Sequence, residues 1–296
     1  MRQIGLLLRS LRPEQWTKNL LIFAPLIFSR NVMTEGMFAR TAAAFGCFCL
    51  LTSGVYLIND LFDLRTDRSH PIKQNRPLAS GRLKPGFAWF AAALFLVLGL
   101  TGAELLGGRF VWACLGYVAI QLAYSVGLKH VVVLDVLLLS MGFILRVVGG
   151  GLVIEVAISD WLLVCTMMLA LFLALCKRRH ELVLMGDDAG EHRRVLREYT
   201  PYLLDQMIAV VTASTVMAYT LYTIAPETQA KFGTRYLVLT VPFVLYGVLR
   251  YLYLVHQREG GGRPERLLLT DPALLIDVAL WATAATIIIY HGNGAL

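Results

Sequence analysis

Four polar residues, Asn59, Asp60, Asp63 and Asp67, close an otherwise apolar run, and a basic stretch carrying Arg68, Lys73, Arg76, Arg82 and Lys84 follows directly. In a helix of about 100° per residue, Asn59, Asp63 and Asp67 drift only about 80° around the axis, and Asp60 falls within the same arc. Carboxylates sharing one helix face repel. A hard divalent cation relieves that repulsion, and Mg²⁺ is typically held by one or two carboxylates together with substrate phosphates. The pattern therefore reads as a Mg²⁺–diphosphate site at a membrane surface, with Asn59, Asp60, Asp63 and Asp67 as metal ligands and the three aspartates as catalytic residues. Lys73 and Arg76 are expected to meet phosphate oxygens, with Arg82 and Lys84 as further candidates. The plainer alternative is a solvated helix end whose acids pair with Arg65 and Arg68. No Ser-His-Asp, Cys-His or His-metal arrangement accompanies the cluster, and the five cysteines, in apolar runs, read as small buried hydrophobes.

The elements that must carry this chemistry are set by composition. Of 296 residues 57% are hydrophobic and 16% charged, with mean hydropathy +0.63. That describes a polytopic membrane protein with a single transmembrane domain over residues 1–296. Nine apolar runs qualify as spans: 16–29, 38–58, 86–107, 110–128, 132–154, 158–176, 203–225, 235–256 and 272–291. The fifth is rich in glycine, which favours close helix contact or a bend. With the N-terminus in the cytoplasm, 20 of the 27 Lys and Arg residues fall on the cytoplasmic side and five opposite, while Arg146 and Arg250 lie within spans. This bias supports nine spans with the N-terminus inside and the C-terminus outside, and places the acidic cluster at the cytoplasmic face; the expected location is the cell (inner) membrane. The net charge of +7 then belongs to loops and anionic ligands, and no nucleic-acid partner is expected. The basic, mildly amphipathic N-terminus reads as an interfacial segment, not a cleaved signal.

The remaining polar positions are judged against this frame. Lys18 and Asn19, at the end of the "RPEQWTKN" stretch that leads into the first span, are expected at the cytoplasmic face near the acids, with a Trp16/Lys18 interfacial anchor as the alternative. Tyr124 and Lys129 lie where the fourth span meets the fifth, within reach of phosphate or ribose groups. Asp135, about one turn inside the fifth span, is placed to bond ribose hydroxyls. Arg146 lies about 16 Å deeper by helical rise and reads as structural. Asp277, in the ninth span, has no evident partner in the sequence.

The stretch "NDLFDLRTD" with "HPIKQNRPLASG" resembles the UbiA superfamily of intramembrane prenyltransferases. "RPEQWTKN" at 12–19, "YSVGLKHVVVLD" at 124–135, "GFILRVVGGG" and "KRRHEL" at 177–182 resemble, within it, the decaprenyl-phosphate phosphoribosyltransferase branch. This likeness covers residues 12 to about 200, with the last three helices matching in hydropathy alone. It implies an all-α, nine-helix fold around a central cavity open to the lipid, and transfer of 5-phosphoribose from phosphoribosyl diphosphate to a polyprenyl (decaprenyl-type) phosphate with Mg²⁺ as cofactor and release of pyrophosphate, for cell-wall biosynthesis. Prenyl-transferring members carry a second acidic motif after the sixth helix. Here that place begins with Lys177, Arg178 and Arg179, and Asp187, Asp188 and Glu191 come later. The favoured reading is direct phosphate binding by Lys177 and Arg178, with Glu181 and Tyr199 at a polar rim. A positive-inside anchor and a second metal site on Asp187 and Asp188 stay open. Two other functions compete: prenyl transfer from a prenyl diphosphate to an aromatic or lipid acceptor, and a non-enzymatic transporter or lipid-binding protein.

Overall fold

The computed structural model describes residues 2–185, 194–257, 267 and 270–291. Among these all regular secondary structure is helical and there is no strand. Asp187, Asp188 and Glu191 lie outside the described residues. Among the described residues, eight helices are long and apolar enough to cross a membrane, as expected of a chain whose backbone polar groups must be satisfied within each crossing segment. The chain is a multi-pass membrane protein.

The chain forms two compact units, Met1–Ile158 with Gly190–Val195, and Ser159–Ala189 with Leu196–Leu296. The first opens with α1 (Arg2–Ser10), an amphipathic helix with Ile4 and Leu8 exposed. A 3₁₀ segment, Pro13–Phe23, runs into the five-residue α2 (Ala24–Phe28). Then come α3 (Met37–Phe62), α4 (Leu64–Ser69), α5 (Pro85–Leu106), α6 (Gly108–Val126) and α7 (Leu134–Val153). The second unit holds α8 (Asp160–Met185), α9 (Pro201–Ile224), α10 (Pro226–Phe232), α11 (Val241–Gln257) and α12 (Pro272–His291). Within it α9 packs on α8, and α11 on α9 and α12.

Eight of the nine expected spans are these long helices. The first, 16–29, is built instead as the 3₁₀ segment and α2, with Pro13 and Pro25 each at the start of its element. A 3₁₀ run of 11 residues needs tertiary support, because its hydrogen bonds are poorer than those of an α-helix. The segment packs between α3 and α7, and Trp16 Nε1 donates to Ser53 Oγ of α3 at 3.1 Å. The glycine stretch of α7 permits the approach. A methyl group on Gly150 would overlap the Ile22 carbonyl.

Two apolar clusters hold the first unit together. One joins Ile22, Leu26, Phe48, Leu51, Phe110, Cys114 and Tyr117. The other buries Leu78 and Leu83 of the α4–α5 connection against Leu57 of α3 and Ala88, Ala91 and Ala92 of α5. Burying a leucine contributes on the order of 2 kcal/mol. The two leucines therefore pin the basic loop over the end of α3, and Arg76 lies two residues before the first of them.

Candidate functional site

The acidic residues sit where α3 gives way to α4. Asp63 is the junction, with φ −86° and ψ 4°, yet helical bonding carries through it: Asp63 N–H reaches Asn59 O at 2.9 Å and Asp67 N–H reaches Asp63 O at 2.8 Å. The one-arc reading of 59, 63 and 67 survives a break that separates two helices. Asp60 and Asp67 are each 3% exposed, so their charges are out of water and require partners.

The cations that meet the three aspartates come from three separate segments. Arg12 pairs with Asp60 Oδ1 while its guanidinium lies 5.0 Å over the ring of Tyr56, one turn earlier on α3. Arg76 Nη1 donates to Asp60 Oδ1 at 3.0 Å and to Asp67 Oδ2 at 2.6 Å. Lys129, from the α6–α7 connection, pairs with Asp63 Oδ1. Asn59 Nδ2 donates to Asp63 Oδ2 at 3.2 Å, and Ser125 Oγ donates to Asn59 Oδ1 at 3.1 Å. Arg68, one of the cations of the plainer alternative, bonds Ala79 O through Nε at 3.3 Å.

Burial pushes the Asp67 carboxyl above its usual range. The charges of Arg76 and Lys73 pull it down, and Asp60 adds to the upward push. Arg12 at φ 52° and Val133 at φ 65° are two of the four non-glycine residues with positive φ among the described residues. The second is β-branched, a costly choice for that conformation. It turns the chain from the Lys129 segment into α7.

The residues expected to join the acids divide into three groups. Arg76 and Lys129 bond them directly, and Lys73 acts on Asp67 through its charge. Tyr124 lies near the end of α6, one residue before Ser125, and is half-buried. Asp135 is fully buried in the first turn of α7, not a turn deeper. Lys18 and Asn19 are placed otherwise. Lys18 Nζ donates to Gln15 Oε1 at 2.5 Å. Asn19 is buried, donating to Cys49 Sγ and Thr52 Oγ1 at 3.3 Å each and accepting from Arg146 Nε at 2.8 Å. Arg146 completes its shell with Gly142 O at 2.6 Å, Tyr117 OH at 3.2 Å and the Tyr117 ring at 4.7 Å. Arg82 folds onto its own loop, on Ser80 Oγ and Asn75 O. Lys84 donates its backbone N–H to Gln3 Oε1 at 3.4 Å.

Sequence reading passed over Arg12 and Ser125. Both lie in or beside stretches already singled out: Arg12 opens "RPEQWTKN" and Ser125 is the second residue of "YSVGLKHVVVLD". Within the second unit, Arg178 is 1% exposed and donates to Glu181 Oε2 at 2.8 Å. Lys177 is half-buried and Tyr199 buried. Arg179 pairs with Asp205, which His256 Nε2 also meets at 3.3 Å. Asp277 is 8% exposed and faces Gly247, where a methyl group would come within 2.8 Å of its Oδ2.

Among the described residues, no three Asp, Glu, His or Cys side chains converge tightly enough to hold a metal unaided. Asp60 and Asp67 nevertheless present oxygens to one shared point, the position of Arg76 Nη1. Two carboxylate oxygens are the protein share a hard divalent cation commonly takes, with water and phosphate supplying the rest. The donor set suits such a cation, provided that Arg76 yields its place.

A family model described as the UbiA prenyltransferase family matches residues 23–270. The chain belongs to the UbiA prenyltransferase family. As a member it is a membrane transferase, which removes the non-enzymatic alternative. A decaprenyl-phosphate phosphoribosyltransferase of Corynebacterium glutamicum is 32% identical over 289 residues, spanning 96% of this chain and 86% of the relative. A protein of the same name from Mycolicibacterium smegmatis is 34% identical over 288 residues, 93% of this chain and 89% of that one. The likeness thus runs well past residue 200, through the helices that sequence reading matched in hydropathy alone. A solved UbiA homolog from Archaeoglobus fulgidus bound to GPP and Mg²⁺ shares the fold, with TM-score 0.74 and 21% identity over 96% of this chain and 99% of that chain. UbiA membership confirms the helical membrane fold expected from the sequence.

Proposed function

We propose that this UbiA-family protein transfers 5-phosphoribose from phosphoribosyl diphosphate to a polyprenyl, decaprenyl-type phosphate and releases pyrophosphate. The observation that carries the choice of donor is the likeness, over nearly the whole chain, to relatives named decaprenyl-phosphate phosphoribosyltransferase. The acidic cluster supports a diphosphate donor of either kind.

Asp60, Asp63 and Asp67, with Asn59 orienting Asp63, would hold Mg²⁺. Bound there, the ion neutralises charge on the departing diphosphate. The chain's own groups do the rest. Arg12, Arg76 and Lys129 already stand at the acids and, with Lys73, can turn to phosphate oxygens as charge-assisted donors. Held in place, two anions that repel in water are brought into line for attack by the acceptor phosphate oxygen on the anomeric carbon. A phosphate monoester is nucleophilic near neutral pH, so no dedicated base is assigned. Tyr124 and Asp135 are assigned to the ribose. Lys177, Arg178, Glu181 and Tyr199 are assigned to substrate binding in the second unit, with Arg178 held by Glu181. Lys18 and Asn19 support the site through the 3₁₀ segment. The family match runs through both compact units, which supports one functional domain. The charge bias supports an inner-membrane protein with the N-terminus and active site cytoplasmic and the C-terminus opposite.

A second reading is prenyl transfer from a prenyl diphosphate, favoured by the related fold solved with GPP and Mg²⁺. One assay separates the two: purified protein, polyprenyl phosphate, labelled phosphoribosyl diphosphate and Mg²⁺. Labelled lipid with release of pyrophosphate is expected. No labelled lipid, together with consumption of a prenyl diphosphate, would select the second reading.

A further inference from the structure

The negative charge of the acidic cluster is already met by cations as it stands. Asp60, Asp63 and Asp67 face Arg12, Arg76 and Lys129, and Lys73 acts on Asp67 from nearby. A divalent cation arriving alone finds no surplus negative charge to draw it. It also finds its place taken. Arg76 Nη1 stands 3.0 Å from Asp60 Oδ1 and 2.6 Å from Asp67 Oδ2, and a cation shared by the same two oxygens would compete with that nitrogen for them. A metal–diphosphate complex meets neither obstacle. It brings net negative charge, and its oxygens offer the displaced guanidinium a bidentate partner.

We propose that Arg76 is a built-in stand-in for the metal: it bridges Asp60 and Asp67 in the ligand-free protein and moves onto the diphosphate when metal and diphosphate arrive together. This rests on the Mg²⁺–diphosphate reading above. Its consequence is thermodynamic. Metal and diphosphate each bind weakly alone and strengthen one another by the same factor. Arg12 differs in kind. Among the described residues it meets Asp60 and not Asp67, and it is steadied by the Tyr56 ring, so its removal takes one charge from the cluster without emptying the shared position. The two arginines therefore make a matched pair for a test.

The measurement is Mn²⁺ retention by the purified full-length protein in equilibrium dialysis, without and with saturating inorganic pyrophosphate. Native protein is expected to bind Mn²⁺ about tenfold more tightly with pyrophosphate. Arg76→Gln is expected to bind Mn²⁺ alone several-fold more tightly than native, and to gain no more than about twofold from pyrophosphate. Arg76→Met, which adds no amide to the acid pair, is expected to repeat this and serves if the glutamine variant does not fold. Arg12→Gln is expected to keep a gain of at least about fivefold. Equal retention by native protein with and without pyrophosphate overturns the inference, as does an Arg76 variant that behaves like Arg12→Gln. Retention by none of the proteins under either condition removes the metal reading itself, and the inference with it.

Discussion

Two buried charged groups in the first unit answer the same problem differently. At the end of α3, three carboxylates are met by three cations from other segments. Deeper in the unit, Arg146 is 4% exposed and is surrounded by neutral oxygens, of Asn19, Gly142 and Tyr117, and by the Tyr117 ring. Ion partners can be exchanged for a ligand of the same charge, because each acid or base that is released finds a replacement. Neutral partners cannot be exchanged, since each oxygen would be left buried without a donor. The first arrangement is suited to binding and the second to holding α7 against the 3₁₀ segment.

The largest effect is expected where exchange is required. Asp63→Asn keeps the shape of the side chain but removes its charge and turns one acceptor oxygen into a donor, and should lower turnover by about 10²–10³-fold with little change in melting temperature. Turnover within twofold of native would break the contrast at its functional end. Arg146→Met should do the opposite. It strands the oxygens of Asn19 and Tyr117, and should cost about 2–4 kcal/mol of stability in a detergent unfolding experiment, while the folded fraction turns over within about threefold of native. A loss of turnover without loss of stability would move Arg146 into the site. Gly150→Ala tests the same contact from the backbone side. Its methyl would overlap the Ile22 carbonyl, and a cost of about 1–3 kcal/mol is expected by the same unfolding measurement. The smallest effect belongs to the second unit's Asp205, more than a third exposed and paired with Arg179 and His256. Asp205→Asn should change stability by less than about 1 kcal/mol. A larger loss would show that a half-solvated ion group can be as structural as the buried Arg146 shell.

Much of the site was legible because its acids lie on one helical run. The period of the helix places Asn59, Asp63 and Asp67 on one arc whatever surrounds them; the nearby basic loop was read as a source of phosphate ligands, and only the structure shows Arg76, sixteen residues from Asp60, bonded to the acids themselves. Arg12 was less visible: 48 residues separate it from Asp60, and its neighbours Lys18 and Asn19 looked equally suited. Asn19 proved to belong with Arg146, 127 residues away, for which no periodicity carries a signal.

From the sequence alone came the membrane class, the position of the eight long helices and the acid face at the end of α3. Those properties depend on runs of neighbouring residues: their apolar length, their helical period and the balance of charge in the loops between them. Only the tertiary structure decided that the first expected span is a 3₁₀ segment laid against α7. It also decided that Arg12, Arg76 and Lys129 are the counter-charges of the acids, and that Asn19 faces Arg146. Those outcomes depend on which backbones approach one another. That is set by packing at places such as Gly150 and Ile22, where the absence of a single methyl group admits a segment more than a hundred residues away in the chain.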